Sequence, residues 1–397
     1  MSLAVITFHS LIRILRLLGL FPYCFNHSER RFYRSDIAIV YSMLYIAVYA
    51  FVFGRYFLET FFFETSTGQQ NNQLLLGASF CCAYTAVIVT CLTGLLRRSS
   101  ICQLLNHYVR LWYRLRGDVR ECFDGKLLSR FLFKAIFIDG VVLAGVVVMK
   151  MPQFFQAGAL ASIGDALYEV FDFGISAALT NLFVAAGYLG AHVYRLINRR
   201  ISKINWQLKQ FERNRHYWSV NPKKQCNLHD EMIAELRQLA CWHGELSRIV
   251  HGYCQMYDIS LLLIIIKDFM IIITGLFGMY RALMAQFNGN TNVSLDSYGF
   301  LVSLSVFSLC QFYYLVESFT QFTERAEKTG SILDDFSRRE THERLDQMIE
   351  VFSLELLHRD NRIQNCGMFT IDFSLLYVAL ATMTSYLIVV IQLRMTT

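Results

Sequence analysis

A stripe of side chains that could line an ion path lies on the last apolar stretch of the sequence. Thr382, Ser385, Val389 and Gln392 follow one another at spacings of three, four and three, so they share one face of a helix. Lipid cannot satisfy the hydrogen-bonding groups of such a stripe, so the stripe must face protein or water. Helix packing and a pore lined by one helix per subunit both remain open. In a pore, Val389 and Leu393 form apolar constrictions and Gln392 a polar ring.

Charged residues also lie inside other apolar stretches: Lys134 and Asp139 lie in the third, and Lys267 and Asp268 lie near the middle of the fifth. Each costs roughly 2.5 to 3.5 kcal/mol to insert, so each should pair or face a wet cavity. A proton or ion relay is one interpretation, and we favour structural ion pairs. Because helix neighbours point about 100° apart, we expect Lys267 and Asp268 to find partners on other helices.

Metal and enzyme chemistry find little support in the sequence. Cys226, His229, Cys241 and His243 do not match a common zinc-finger spacing, and His243 also belongs to an apolar seam. His192 alone of the ten histidines touches an apolar stretch, so a membrane metalloenzyme or acyltransferase lacks its main reagents. We therefore expect no metal, no cofactor and no enzymatic activity.

Aromatic residues gather in the outer halves of the second to sixth apolar stretches. They fit an anchoring belt at the membrane interface. They equally fit an apolar small-molecule pocket with a few polar groups, and the sequence alone does not separate these interpretations. The candidate ligand-binding residues are Tyr84, Phe171, Asp172, Phe173, Phe277, Tyr280, Tyr298 and Phe300.

Seven apolar stretches carry these residues, each about as long as the 20 residues that a membrane-spanning helix needs. They account for a hydrophobic content of 54% and an aromatic content of 15%. The sequence predicts an all-α, polytopic membrane protein. The stretches are 37–57, 74–96, 131–149, 171–194, 259–283, 298–319 and 368–393.

The distribution of positive charge predicts the orientation in the membrane. Nearly all Lys and Arg residues between the stretches fall in every second gap, and such flanks stay in the cytosol. We therefore expect a cytosolic N-terminus, an extracellular C-terminus and a glycosylation site at the external Asn292, within Asn292-Val293-Ser294. The net charge of +6 tracks these flanks and forms no single patch, so nucleic acid is not an expected partner.

The long cytosolic gaps carry apolar seams of helical period. The seams predict a helical bundle beneath the membrane, within one protomer or between protomers. They comprise Ile197, Ile201, Ile204, Leu208 and Phe211; then Met232, Leu236, Leu239, His243, Leu246, Val250 and Tyr253; then Leu345, Ile349, Phe352 and Leu356. The expected organisation is an N-terminal cytosolic segment (1–36), helices 1–4 (37–194), a cytosolic extension (195–258), helices 5 and 6 (259–319), a second cytosolic segment (320–367), and helix 7 with an extracellular tail (368–397).

Three short motifs resemble those of the insect gustatory receptors. Ser385-Tyr386, five apolar residues and Gln392-Leu393 are similar to the Thr-Tyr, five hydrophobics, Gln-Phe signature that closes that family. The segment Cys366-Gly367-Met368-Phe369-Thr370-Ile371-Asp372, followed by Leu375-Leu376, resembles the entry to the family's last helix. Leu18-Gly19-Leu20-Phe21-Pro22-Tyr23 is similar to its N-terminal segment.

This resemblance implies a tastant-gated, non-selective cation channel in the plasma membrane of sensory neurons. It implies a homo- or hetero-tetramer with related receptors, surrounded by membrane lipid, that passes monovalent and divalent cations. The last helix of each subunit then lines the pore, with Gln392 and Leu393 at the constriction, and the cytosolic helices form an anchor bundle. Ser385 and Leu393 depart from the motif's Thr and Phe. Gln392 stands where the sugar-sensing branch tends to carry Glu, which favours bitter or other non-sugar tastants.

Two other functions fit seven membrane helices. A receptor that signals through a partner such as a G protein is disfavoured by the opposite charge pattern and by the lack of Asp-Arg-Tyr and Asn-Pro-x-x-Tyr motifs. A small-molecule transporter would need broken helices at its binding site, and the three prolines all lie outside the apolar stretches.

The orientation is testable with epitope tags at both termini. Because the basic residues flank the cytosolic ends of the helices, only a C-terminal tag should be labelled on intact cells. The N-terminal tag should become accessible after permeabilisation. Labelling of the N-terminal tag on intact cells, with a hidden C-terminal tag, would show that the orientation is wrong.

Overall fold

Helices dominate the computed structural model of the chain, which describes residues 3–26, 28–58, 70–116, 125–156, 160–213, 222–287, 295–337 and 343–395. The helices are α1 (Leu3–Leu17), α2 (Asp36–Leu58), α3 (Gln70–Leu96), α4 (Arg98–Arg116), α5 (Gly125–Leu132), α6 (Asp139–Gln156), α7 (Leu160–Arg213), α8 (Pro222–Met256), α9 (Asp258–Phe287), α10 (Leu295–Ser337), α11 (Glu343–His358) and α12 (Phe373–Met395). A π-helical segment, Phe133–Ile138, joins α5 to α6. Two short hairpins pair β1 (Tyr23–Asn26) with β2 (Arg31–Arg34) and β3 (Gln364–Asn365) with β4 (Phe369–Thr370).

Five helices of the described chain contain a segment long and apolar enough to cross a membrane. These segments are Asp36–Arg55, Gly77–Leu96, Phe173–Phe211, Asp258–Tyr280 and Val302–Phe336. Two further predicted spans fall on α5 to α6 and on α12, where a shorter apolar segment, Phe373–Tyr386, is found. The all-α membrane fold is confirmed, whereas the seven-span count and the orientation of the termini stay predictions.

Two membrane helices continue far beyond the predicted membrane boundary without a break. Helix α7 contains 54 residues and α10 contains 43, which at 1.5 Å per residue makes them about 80 Å and 65 Å long. Both pass from the membrane region into the helical bundle formed by the predicted seams, and they pack against each other. Each can therefore transmit a shift of the membrane region directly to the bundle.

The N-terminal segment turns sharply against α2 after α1 ends. Gly19 has φ of +71°, and a Cβ there would lie 2.8 Å from Cβ of Tyr45, so only glycine fits. Tyr41 and Tyr49 donate hydrogen bonds to the carbonyls of Leu17 and Leu18 at 2.8 Å. The Leu-Gly-Leu motif in the sequence therefore marks the place where the N-terminal segment docks on the first predicted span.

The three predicted seams pack within one protomer. Ile201 and Ile204 on α7, Leu236 and Leu239 on α8, and Phe352 on α11 are all at most 1% exposed, and they belong to one continuous core. Of the two arrangements left open by the sequence, the bundle therefore forms inside the protomer. These seam residues are not available for contacts between subunits.

A fourth seam, on α10, was not predicted. It keeps the same alternation of three and four as the others and is fully buried: Phe319, Phe322, Ala326, Thr329, Leu333 and Phe336. Two hydrogen bonds connect this seam to α7. Thr329 Oγ1 donates to Asn198 Oδ1 at 2.6 Å, and Asn198 Nδ2 donates to the carbonyl of Arg325 at 2.8 Å. The helical spacing of this seam is visible in the sequence, but the charged residues between the seam positions and the polar Thr329 within the seam obscured it.

His243 sits at the centre of the bundle as a neutral side chain. Its ring packs 4.6 Å from that of Tyr194 and 6.0 Å from that of Phe352, measured between centroids. Arg359 Nη1 lies 3.2 Å from Nδ1, and Nε2 lies 3.4 Å from the carbonyl oxygen of Ala326. Burial, and then the Arg359 charge, lower the pKa of His243 to about 3.

This histidine should make the bundle sensitive to acid. Below pH 6.5 the unfolded chain binds a proton at His243 and the folded chain does not, so stability falls as pH falls toward 3. Between pH 6.5 and 5 the loss is about 2 kcal/mol. We expect Tm of the detergent-solubilised protein to fall over this range, and to fall clearly less in His243→Gln. Equal pH dependence in both proteins would contradict this assignment.

Candidate functional site

A network of buried polar side chains joins three helices of the membrane region. Asp139 on α6 accepts hydrogen bonds from Lys134 Nζ at 3.0 Å and from Asn181 Nδ2 at 2.7 Å, both on Oδ2. Its Oδ1 accepts one from Gln311 Nε2 on α10 at 2.7 Å. Lys134 Nζ also donates to Asn181 Oδ1 on α7 at 2.6 Å. All four side chains are buried, so the structural ion pair expected from the cost of inserting charges is present and fully embedded in protein.

The π-helical segment makes this ion pair possible. In a regular α-helix, residues five positions apart point about 140° away from each other. Here the backbone N–H of Asp139 bonds to the carbonyl of Lys134, five residues earlier, and the wider turn brings both side chains to one face. This change of helix type was not predictable from the sequence, because the pattern of apolar residues continues through the segment.

A second charged pair lies on α9. Lys267 Nζ lies 2.8 Å from Asp268 Oδ1 on its own helix and donates a hydrogen bond to Ser176 Oγ on α7. Lys267 therefore has the expected partner on another helix. The expectation that Lys267 and Asp268 would not pair with each other is wrong, because the long lysine side chain reaches the adjacent carboxylate. Lys134 interacts electrostatically with both residues. We call the set Lys134, Asp139, Ser176, Asn181, Lys267, Asp268 and Gln311 the polar network.

A separate apolar cluster lies one helical turn from the polar network on each helix. This outer apolar cluster consists of Phe173 and Ala177 on α7, Ile271 on α9, and Leu304 and Phe307 on α10. The rings of Phe173 and Phe307 lie 5.5 Å apart between centroids. A site with an apolar side and a polar side is the composition that binding sites for small organic molecules share.

The aromatic residues proposed for ligand binding do not form one group. Phe173 belongs to the outer apolar cluster, whereas Tyr84 is part of the main core. Phe277 and Tyr280 are half-buried on α9. The side chains of Phe171, Asp172, Tyr298 and Phe300, together with Asn292, lie outside the described residues. The sequence analysis did not identify Asn181 and Gln311, each an amide on a long apolar helix. Their position within predicted spans was a signal that these polar side chains need partners.

The predicted pore stripe lies on a partly uncovered face of α12. The helix packs on α9 and α10 through another face, which carries Leu376, Ala379 and the buried Met383. The stripe residues Ser385, Val389 and Gln392 are exposed on the protomer, and Thr382 is half-buried. Thr382 and Ser385 donate to carbonyls of their own helix at 2.8 and 3.0 Å. The side chain of Leu393 lies outside the described residues.

A clamped linker connects the helical bundle to α12. Asn365 Nδ2 donates to the carbonyl of Asp258 at 3.1 Å, and Thr323 Oγ1 to that of Asn361 at 3.3 Å. Cys366 and Gly367 both have positive φ, +49° and +67°, which gives the tight turn between β3 and β4. Asp372 then caps α12, since its Oδ1 accepts from the backbone N–H of Ser374 at 2.9 Å. The linker thus joins the start of α12 to the first residue of α9 and to an interior turn of α10.

The sequence matches the family model described as 7tm Chemosensory receptor over residues 8–397. One curated relative, the putative gustatory receptor 28b of Drosophila melanogaster, is 21% identical over 231 residues. The matched region covers 54% of this chain and 48% of the relative, so it spans about half the relative's length.

The fold is similar to that of the insect olfactory receptor OR5 from Machilis hrabei. That structure aligns with a TM-score of 0.64 at 14% sequence identity and covers 98% of both chains. The structure of the same receptor in complex with eugenol aligns with a TM-score of 0.60 at 14% identity and covers 97% of both chains.

The Lys134–Asp139 pair should behave as a unit. Because a lone charge would remain buried, Lys134→Met or Asp139→Asn alone should each destabilise the protein by about 3 to 5 kcal/mol. The double variant should recover a large part of that loss. The exposed pair Lys209–Asp335, 3.1 Å apart, is the matched control, and the equivalent changes there should cost less than about 1 kcal/mol. Thermal unfolding in detergent measures all of them. Additive losses in the double variant would refute the coupling.

Proposed function

Because this chain belongs to the 7tm chemosensory receptor family, we propose that it is a gustatory receptor that works as a ligand-gated, non-selective cation channel. It is a multi-pass membrane protein, and the plasma membrane of sensory neurons is the location that suits this role. Its ligands are small-molecule tastants, bitter or other non-sugar compounds, as the glutamine at position 392 suggests.

The uncovered face of α12 is the observation that carries this proposal. The protomer leaves Ser385, Val389 and Gln392 exposed, so this face of the membrane helix is open to a neighbouring subunit or to water. Four copies around a symmetry axis would cover this face and enclose an ion path. No charged residue occurs between Asp372 and Arg394, so such a path is lined by neutral groups. Neutral oxygen atoms support modest selectivity among monovalent cations and admit divalent cations.

An apolar surface on α11 supports assembly with further copies or related subunits. Its inner face packs in the bundle, while Val351, Leu354 and Leu357 are exposed on the other side, Leu357 by 79%. Exposed apolar patches in a water-facing domain mark interaction surfaces. This surface, unlike the buried seams, is available to hold a homo- or hetero-tetramer together. The clamped linker would connect that assembly to the four pore helices.

The outer apolar cluster and its surroundings are the proposed ligand-binding region. Helices α6, α7, α9 and α10 meet there, and α10 also contacts α12. A ligand that separates these helices would shift α10, and the shift would reach α12 directly and through the linker. Phe173 and the half-buried Phe277 and Tyr280 are the proposed aromatic contacts among the described residues.

The alternatives of signalling through a G protein and of transport receive no specific support. The long helices α7 and α10 run without the breaks that transporter binding sites require. Recording ligand-evoked currents in cells that lack other receptors, with G-protein signalling blocked, separates the channel from a G-protein-coupled receptor.

The pore can be tested at Gln392. Gln392→Glu adds up to four negative charges at one constriction, so divalent permeation or block should rise, while Gln392→Lys should suppress cation current. Leu393→Ala should raise the current without ligand, because a dewetted constriction depends on its width and apolarity. Patch-clamp recording with ion substitution measures each effect.

Leu380→Ala is the matched control, since helix geometry places it on nearly the opposite face from the stripe. It should leave selectivity unchanged. If both Gln392 charge variants keep wild-type selectivity and current at normal surface expression, α12 does not line the pore and its stripe serves helix packing.

A further inference from the structure

An exposed, basic surface lies where the N-terminal segment meets the first two membrane-spanning segments. Arg34 precedes the first residue of α2 by two positions, and Arg97 and Arg98 follow the last residue of α3. Arg34 Nη2 donates to Ser99 Oγ at 2.6 Å, so the beginning of α2 and the end of α3 lie at the same membrane surface. Arg34, Arg97 and Arg98 are all exposed. These side chains therefore lie at the level where the hydrocarbon core gives way to lipid headgroups.

The hairpin that carries Arg34 is fixed to its surroundings. The backbone N–H of Phe32 donates to Asn106 Oδ1 on α4 at 2.7 Å, and Asn106 Nδ2 donates to the Phe32 carbonyl at 3.0 Å. The hydroxyl of Tyr23 donates to the carbonyl of Gly94, near the end of α3, at 2.9 Å. Because the hairpin is held in place by the protein, Arg34 is positioned without help from a ligand, which lowers the entropic cost of binding one.

Helix α1 adds two arginines to the same side of the molecule. Leu11 and Leu15, one turn apart, are buried against the protein. Arg13 and Arg16 are exposed on the opposite side of the helix. The arginines of α1 therefore face outward and are available to a partner.

The remaining edge of α1 is apolar and exposed. Ile14 is 50% exposed and Leu17 is 63% exposed. The Leu17 carbonyl accepts the hydrogen bond from Tyr41 of α2, and Ile37, one turn before Tyr41, is 83% exposed. The apolar edge of α1 thus continues the lipid-facing surface of α2. Helices that lie in the membrane interface combine an apolar edge with a basic one in this way.

The protein supplies little negative charge to this surface. Residues 1–36 contain five arginines and two acidic residues, and segment 97–116 contains no acidic residue. Arg97 interacts electrostatically with Asp258. In the part of the chain that the structure describes, four exposed arginines at this surface form no ion pair. We call these four the interfacial arginines: Arg13, Arg16, Arg34 and Arg98.

We propose that the interfacial arginines bind the phosphate groups of anionic phospholipids in the leaflet that borders the start of α2. The predicted orientation makes this the cytosolic leaflet, which carries the anionic lipids of a plasma membrane. An acidic protein would match the arginines in charge, but it would not match Ile14 and Leu17, which continue a surface that faces hydrocarbon. Bound lipid would hold α1 against α2. Such binding does not depend on ion conduction.

The purified full-length chain in nanodiscs of phosphatidylcholine and phosphatidylserine, mixed at a known ratio, tests this directly. After extraction into mild detergent, mass spectrometry measures the ratio of the two lipids that the protein retains. We expect phosphatidylserine to be enriched over the input ratio. The enrichment should fall as salt rises from about 0.1 M to about 1 M, because the Debye length shortens from about 10 Å to about 3 Å. Retention of both lipids at the input ratio overturns the proposal.

Two pairs of substitutions localise the binding. Arg13→Gln with Arg16→Gln should reduce the enrichment at least about five-fold, the effect of one arginine near an anionic surface. Arg34→Gln with Arg98→Gln should have a comparable effect. Wild-type enrichment in both pairs overturns the proposal. The salt dependence of the wild-type chain decides the question without any substitution, should a variant fail to fold.

The matched control lies on α4, farther from the membrane. Arg110 and Arg114 are exposed, about 18 Å and about 24 Å along the helix from its first residue. The Leu115 carbonyl accepts a hydrogen bond from Arg200 Nη2 at 2.6 Å, and this part of α7 lies beyond its predicted span, 171–194. Arg110→Gln with Arg114→Gln removes the same charge and should leave the enrichment unchanged. An equal loss in this control would show that net charge alone attracts the lipid, which contradicts a specific surface.

A soluble competitor separates lipid from an acidic protein. Polyglutamate carries the same sign of charge as the lipid headgroups but offers no acyl chains. If it binds the wild-type chain while the two lipids are retained at their input ratio, the surface serves an acidic protein and the proposed lipid site is wrong.

Discussion

Burial of charge in a medium that offers no hydrogen bonds is the constraint on which the membrane region depends. Asp139 is stable there only because Lys134, Asn181 and Gln311 all reach it, and these donors come from three separate helical segments. Moving any one of these segments would leave a buried charge or a buried amide without its hydrogen-bond partner. The polar network therefore fixes how α6, α7 and α10 are rotated and how far they slide, and apolar packing fills the space that remains.

The same helices carry this constraint to the rest of the molecule. Helices α7 and α10 run unbroken from the polar network into the bundle, where Asn198 and Thr329 tie them together again. The bundle and the linker in turn hold the start of α12. The region where ligand is proposed to bind and the helix proposed to line the pore are thus joined by a continuous set of rigid elements, with polar contacts at each junction.

Features that depend on period and length were predictable from the sequence, and features that depend on local backbone geometry were not. Ile201 and Leu236 were assigned to seams because helical spacing survives folding, and both are buried. Only the structure shows that the seams pack against one another within the protomer, because residue spacing does not identify which chain supplies the partner helix. The Lys134–Asp139 pair was expected from the cost of charge burial, but its geometry depends on a π-helical turn with no compositional signal. Leu393 and several aromatic candidates stay sequence predictions.

The π-helical turn has a consequence for how chains of this type can differ in length. It holds one residue more than the α-helix that would span the same rise, so deleting one residue within Phe133–Ile138 would restore regular winding. Because the wider turn accommodates the extra residue, the helices on either side would keep their relative faces, and Lys134 and Asp139 would then stand four positions apart on one face of a regular helix. A one-residue length difference here between homologous sequences is therefore compatible with the same helix orientation and the same ion pair, so this segment is a place where sequence alignments can accept a gap.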